Sequence, residues 1–152
     1  MEGIIAGGCL DKMDASGPYL DLGSGNGFPA ITIASLCRRA RPIILVESSH
    51  KKAAFLRALA RELSWRDARV DDRHVHSGAD LKEFKCRLFS SRGVNLSDLL
   101  KEGPIFLEPG GLCVLFGSVG LDESTQRSIG LVSEKEVSLP DRSSSIHILR
   151  KR

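Results

Sequence analysis

The stretch YLDLGSGNGFPAI at 19–31 constrains the fold more than any other part of the chain. An apolar run that reads as a strand leads into glycines at 23, 25 and 27, and a helix opens close behind on Pro29. Glycines at such a bend permit left-handed backbone and let a ligand approach the main chain closely. A strand, a glycine bend and a helix in that order mark the place where open α/β sheets bind nucleotides. The dinucleotide fingerprint is GxGxxG, whereas here Phe28 follows Gly27 directly, so the pattern is GxGxG and then a bulky ring. That disfavours a nicotinamide oxidoreductase. Glu47 closes the next strand 20 positions after Gly27, where a carboxylate accepts both hydroxyls of a ribose. An acid merely exposed at a strand end is the plainer alternative, and its pairing with the glycine bend favours the ribose role.

The remaining sequence alternates between strand and helix signals. A helix is expected over 29–40 and a fully buried strand over IILV at 43–46. In KKAAFLRALAREL, residues Phe55, Leu56, Leu59 and Leu63 recur at helical spacing, Lys51, Lys52, Arg57 and Arg61 form the wet side, and Ser48 or Ser49 caps the start. Strands are expected at 69–75, 87–90 and 112–117, the last after a turn at Pro109, Gly110 and Gly111. Asn95 or Ser97 opens a helix through Leu100, and Pro104 after Gly103 restarts or ends it. The runs 131–138 and 145–150, parted by Pro140, form a terminal antiparallel pair. Such alternation predicts an α/β chain with a doubly wound, mostly parallel sheet.

A chain of 152 residues, 41% hydrophobic and 27% charged, fits one ordinary globular domain over 1–152. Cys9, Cys37, Cys86 and Cys113 are widely spaced without a CxxC pair, which suggests neither a metal site nor a disulfide framework, and Cys86 and Cys113, each beside an apolar run, read as small buried hydrophobes in a reducing compartment. The opening MEGIIAGGCLDKMD has no basic leader and too short an apolar run for a signal or a span, so a cytoplasmic protein with no membrane partner is expected. The net charge is only +3, yet 38–73 holds ten Lys or Arg against five acids. That block either attracts a phosphate backbone or is a solvated helix face. His74 and His76, read as one side of a strand, lack an evident third ligand for a metal. Trp65 and Phe84 are candidates for stacking on bases, with packing the more ordinary role. Asn26 either approaches a ligand or tolerates a left-handed turn.

Several segments together carry a family resemblance: LDLGSGNGFPAI, LVES with KKAAFLR, Val70 with Arg73, SSRG at 90–93 and EPGG at 108–111. The chain resembles the GidB or RsmG family from about Tyr19 to about Lys151. The resemblance implies a seven-stranded class I methyltransferase fold dependent on S-adenosyl-L-methionine (SAM), methylating guanine N7 in 16S ribosomal RNA. It further implies that the bend at Gly23, Gly25 and Gly27 holds SAM, that Gly23 and Phe28 line its methionine and ribose side, and that Glu47 binds the ribose. His74 and Val75 would face the adenine, and Arg92 would lie near the methyl donor. The chain departs from the family at Ala30, Val75, Arg87, Gly93 and Phe116, and about 18 residues precede the first strand where the family carries a much longer helical segment.

The implied chemistry asks little of protein acids and bases. Methyl transfer from a sulfonium is an in-line displacement, so alignment and electrostatic fit dominate. Guanine N7 offers a lone pair and carries no proton, so no general base is needed and no catalytic side chain is singled out. The leading expectation is a SAM-dependent RNA methyltransferase acting on RNA or the small ribosomal subunit. The alternative from another class is a SAM-binding regulatory module of methyltransferase ancestry without catalysis.

Overall fold

A computed structural model describes residues 1–117, 122–139 and 144–152. In chain order the elements are α1 (Glu2–Lys12), β1 (Tyr19–Leu22), α2 (Ala30–Leu36), β2 (Ile43–Glu47), α3 (His50–Glu62) and β3 (Ala68–Asp72). A 3-10 turn (Gly78–Leu81) leads to β4 (Cys86–Arg92), α4 (Leu96–Leu99), β5 (Leu107–Phe116), α5 (Glu123–Ser128), β6 (Leu131–Ser138) and β7 (Ser145–Lys151). The seven strands form one sheet in the order β3-β2-β1-β4-β5-β7-β6. The strands from β3 to β5 in that order run parallel, while β7 lies antiparallel to both β5 and β6. This is the expected doubly wound sheet with its antiparallel C-terminal pair. Pro140, expected to part that pair, lies outside the described residues.

Every residue of β1 is buried, as a central parallel strand covered on both faces must be. Side-chain alternation therefore divides the core in two. Tyr19, Ile43, Leu45, Leu88, Leu112 and Val114 pack with Ala6 and Leu10 of α1, Ile33 of α2 and Leu56 of α3. Leu20, Leu22, Val46, Phe89, Cys113 and Leu115 face the opposite layer of Leu81, Leu99, Leu100 and Phe106. The sheet reverses its winding between β1 and β4, which makes the carboxyl ends of β1, β2 and β4 the place for a ligand.

The larger departures from expectation have physical reasons. Helix α1 forms over EGIIAGGCLDK although two adjacent glycines weaken it, because close approach to α2 requires small residues. A Cβ on Gly7 would stand 2.7 Å from Leu36 Cδ1, and one on Gly3 3.0 Å from Thr32 Cβ. Helix α2 stops at Leu36, short of position 40, because Cys37 leaves helical conformation at φ −91° and ψ 71°. Strand β3 ends at Asp72, so His74 and His76 lie in the following loop and do not share a strand face. Strand β5 begins at Leu107, and Pro109, Gly110 and Gly111 form a register shift inside it where a separating turn was expected. A Cβ on Gly111 would meet the carbonyl oxygens of Glu108 at 2.8 Å and Arg87 at 3.0 Å, and backbone cannot swing aside as a side chain can. Gly111→Ala is expected to lower stability by about 2 kcal/mol through this overpacking, read as a shifted urea midpoint at unchanged m-value.

All four cysteines are free. Burial pushes the Cys37 and Cys86 thiols up to about 11 and about 12, and Cys113 higher still, so these three are packing groups. Among the described residues no helix is long and apolar enough to cross a membrane.

Candidate active site

The glycine bend owes its shape to bonds it makes with β2. Gly23 and Ser24 both donate to the Val46 carbonyl, at 2.9 and 3.1 Å, and Gly27 donates to the Ser24 carbonyl at 2.7 Å. Gly25 donates to Glu47 Oε2 at 2.7 Å, and the other carboxylate oxygen, Oε1, accepts the Ser49 N–H at 2.8 Å. Glu47 thus ties the bend after β1 to the start of α3, where the Ser49 side chain caps the helix by accepting from the Lys52 N–H. A carboxylate has about four acceptor positions, so the two bonds leave two for a ligand's hydroxyls. The amides of residues 23, 24, 25 and 27 are all spent inside the protein, and Pro29 brings no N–H to the start of α2. A pyrophosphate needs such donors. The bend therefore suits a ligand without phosphate at this point, which agrees with the departure from GxGxxG at Phe28.

The three glycines serve different ends. Gly27 (φ +90°) is pressed by packing, since a Cβ there would lie 2.3 Å from Ile31 Cδ1. Gly25 (φ +58°) is required by its backbone conformation, since its nearest neighbour would be 3.7 Å away. Asn26 is exposed and is not among the described non-glycine residues with positive φ, so it is not the left-handed residue of the bend.

Gly23, His74 and Val75 line one cavity of about 90 Å³ together with Leu22, Val46, Ser48, Arg73 and Val94. The loop carrying His74 and Val75 is braced from both sides. Arg73 donates from Nε and Nη2 to the two oxygens of Asp71, each at 2.7 Å, and from Nη1 to Glu83 at 2.5 Å. Asp80 Oδ2 accepts the amides of His76 and Ser77 at 2.8 and 3.0 Å. The His76 and Ser77 amides hold the Asp80 carboxyl below the usual range, and the Glu83 carboxyl is held there by its own backbone amide and then by Arg73. The rings of His74 and His76 stack on each other with centroids 6.0 Å apart. No group of three or more metal-ligating side chains occurs among the described residues.

Phe28 and Arg92 line a second cleft, of about 240 Å³, with Met1, Glu2, Ile4 and Thr32. Arg92 ends β4 and pairs with Glu2 at 3.2 Å, while Glu2 also accepts a 2.9 Å bond from Ser144 Oγ. Gly23 thus lines the first of these hollows and Phe28 the second.

Two groups near the bend escaped the sequence reading. Asp21 of β1 is fully buried, with Ser90 Oγ donating to its Oδ1 and Tyr19 OH donating to Ser90 Oγ at 2.7 Å. Among the described residues its Oδ2 has no partner, and burial raises the carboxyl to about 6. The only signal in sequence was an acid inside an otherwise apolar strand. Helix α1, which brings Glu2 to Arg92, had none. The aromatic and basic candidates are mostly committed elsewhere. Phe84 is buried beneath Arg69 and Arg73, and Trp65 packs on the core with the Arg41 guanidinium 5.1 Å from its ring. Within the basic block Arg41, Arg57, Arg69 and Arg73 pair with Asp67, Asp72, Asp71 and Glu83.

A parallel sheet closed by an antiparallel pair, with a glycine bend after β1 and an acid at the end of β2, defines the class I methyltransferase fold. Two solved structures share it. Ribosomal protein L11 methylase from Lactobacillus delbrueckii superposes with a TM-score of 0.73 at 16% identity, covering all of this chain and 80% of that one. A SAM-dependent methyltransferase from Aquifex aeolicus gives 0.70 at 8% identity, covering 97% and 91%. Within that class the chain belongs to the GidB family, rRNA small subunit methyltransferase G, whose profile matches residues 3–143. It is 38% identical over 106 residues to ribosomal RNA small subunit methyltransferase G of Cereibacter sphaeroides, across 67% of this chain and 50% of that protein. It is 39% identical over 87 residues to the protein of the same name from Rhizobium leguminosarum, across 53% and 38%. The chain spans about half the length of the curated relatives it matches.

Proposed function

We propose that this chain binds SAM and transfers its methyl group to guanine N7 of 16S ribosomal RNA, with the small ribosomal subunit as partner in the cytoplasm. The observation that carries the reading is the Glu47 carboxylate, which holds the Gly25 and Ser49 amides while keeping acceptor positions for a ribose. The family and the names of its members support the methyl donor and the RNA acceptor.

SAM supplies an electrophilic methyl group on a sulfonium. Glu47 would accept from the ribose hydroxyls, and Gly23, Val46, His74 and Val75 would enclose the adenine in the cavity they line. Arg92, at the end of β4 beside β1, is a fixed positive charge suited to a carboxylate, a phosphate or the O6 and N7 edge of guanine. None of these residues has to remove a proton, because N7 attacks through a lone pair. Rate enhancement then comes from holding donor and acceptor in line.

Calorimetry with SAM, S-adenosylhomocysteine and NADH tests the cofactor, and labelled-methyl transfer to small ribosomal subunits tests the reaction. SAM and S-adenosylhomocysteine are expected to bind and label to enter the RNA. NADH binding without SAM binding, or tight SAM binding with no transfer to RNA, would overturn the reading.

A further inference from the structure

Resting on the reading of an RNA acceptor, we propose that the outer face of α3 carries the strand of RNA that flanks the target nucleotide, with phosphates on Lys51, Lys52 and Arg61 and a base on Phe55. The basic block at 38–73 is not uniform. Arg41, Arg57, Arg69 and Arg73 are matched by Asp67, Asp72, Asp71 and Glu83. Lys51, Lys52 and Arg61 are exposed on α3, and among the described residues none of these three side chains pairs with an acid. The helix as a whole carries four Lys or Arg against one acid, Glu62. Unpaired cations gathered on one face attract a polyanion. The 13 residues of α3 span about 20 Å. Lys51 and Lys52 lie in its first turn, next to the Ser49 cap and the Glu47 carboxylate, and Arg61 lies about 14 Å further along the axis. The charges therefore start at the rim of the cofactor site and lead away from it, as a polymer threaded past that site requires.

Phe55 adds what a phosphate surface alone lacks. It keeps 51% of its surface exposed, while Leu56 beside it is fully buried and fills the core. It follows Lys51 by four positions, which sets ring and ammonium on one side of the helix. A half-exposed ring among unpaired cations meets both demands of single-stranded nucleic acid, stacking for the bases and charge for the backbone. Charge alone would suit an acidic protein equally; the ring favours RNA, because every base has a π face to offer it. On the opposite layer, where Leu81 and Phe84 enter the core, Lys82 and Lys85 stand among Asp80 and Glu83, so the charge there is balanced.

Fluorescence anisotropy of a labelled single-stranded RNA of about twelve nucleotides, titrated with the chain across a salt series, with and without saturating S-adenosylhomocysteine, reads this face. At about 0.7 per phosphate contact, the triple variant Lys51→Gln, Lys52→Gln, Arg61→Gln should flatten the fall of log affinity with log salt by about 2 and weaken binding at least about tenfold at about 0.1 M salt. Phe55→Leu should weaken it at least about fivefold at unchanged slope, and Phe55→Tyr restore it, as loss and recovery of one stacking face require. Lys82→Gln with Lys85→Gln, on the other layer, should change it less than about twofold. Calorimetry with S-adenosylhomocysteine should give the native affinity in every variant. Native affinity and slope in the triple variant, an equal loss on the other layer, no loss in Phe55→Leu, full competition by polyglutamate, or no RNA binding by the native chain would each overturn the assignment. Failure of S-adenosylhomocysteine to bind, with RNA still held by Phe55 and the three cations, would instead remove the methyl-transfer reading and leave α3 an RNA-binding face.

Discussion

Glu47→Ala is expected to abolish measurable SAM binding and to destabilise the chain at the same time. The carboxylate is buried and accepts from Gly25 at 2.7 Å and Ser49 at 2.8 Å, so truncation leaves two amides short of a partner in one step. Hydrogen bonds to a charged acceptor contribute about 1.5 to 3 kcal/mol each, and with some access of water to the gap the net loss of stability is about 3 kcal/mol. The ligand loses its ribose acceptor as well as the shape of the bend, which corresponds to an affinity lower by about a hundredfold or more. Glu47→Gln separates the two effects. An amide keeps the side chain's volume and one acceptor oxygen but sets an N–H₂ against one backbone N–H, so part of the bend is preserved and the charge is gone. Urea unfolding together with calorimetry on both variants reads stability and affinity apart. A chain destabilised by either substitution that still binds SAM with full affinity would make Glu47 a brace for the loop and nothing more.

What the sequence disclosed about this site follows from where the controlling interactions lie. Strands β1, β2, β6 and β7 and helix α3 were legible because their determinants are local: buried runs, strand-prone segments, a 3.6-residue period and a serine cap. The bend was legible because three glycines at alternate positions have few other uses, and Glu47 because its distance from them is fixed by one turn of the α/β unit. Helix α1 was hidden because its glycines signify close packing on Thr32 and Leu36, and the same letters usually signify a turn. The PGG stretch was misplaced for the converse reason: inside β5 it accommodates a register shift held by pairing with β4, which no local pattern records. His74 and His76 share a strand face only if β3 continues, and it stops where Arg73 turns back onto Asp71. The division of the site into two hollows, one with Val75 and one with Phe28, depends on how α1 seats against α2. Long-range seating of that kind leaves no periodicity to read.

Asp21→Asn is expected to change how stability depends on pH, with the opposite sign from most carboxylates. Asp21 stands in the centre of the sheet with one oxygen accepting from Ser90 and the other without a partner among the described residues, and burial holds its carboxyl at about 6 where an ordinary aspartic acid lies at 3.8. A raised value means that the folded chain takes up the proton before the unfolded chain does. Stability contributed by this group is therefore complete below the unfolded value, declines as pH rises from about 4 to about 6, and is absent above that. The full difference corresponds to about 3 kcal/mol, of which about 1.4 kcal/mol is gained between pH 8 and pH 5. Asparagine keeps the oxygen that accepts from Ser90 and cannot ionise, so whatever constant cost its amide group brings does not vary with pH. Other titrating groups act alike in both chains and cancel in the difference between them. The measurement is urea unfolding of both chains at pH 5, 6, 7 and 8: the native chain should gain on the variant as the solution is acidified, most steeply between pH 6 and pH 5. Two parallel profiles would mean that Asp21 is ionised throughout, its second oxygen satisfied by water or by a cation in the bend.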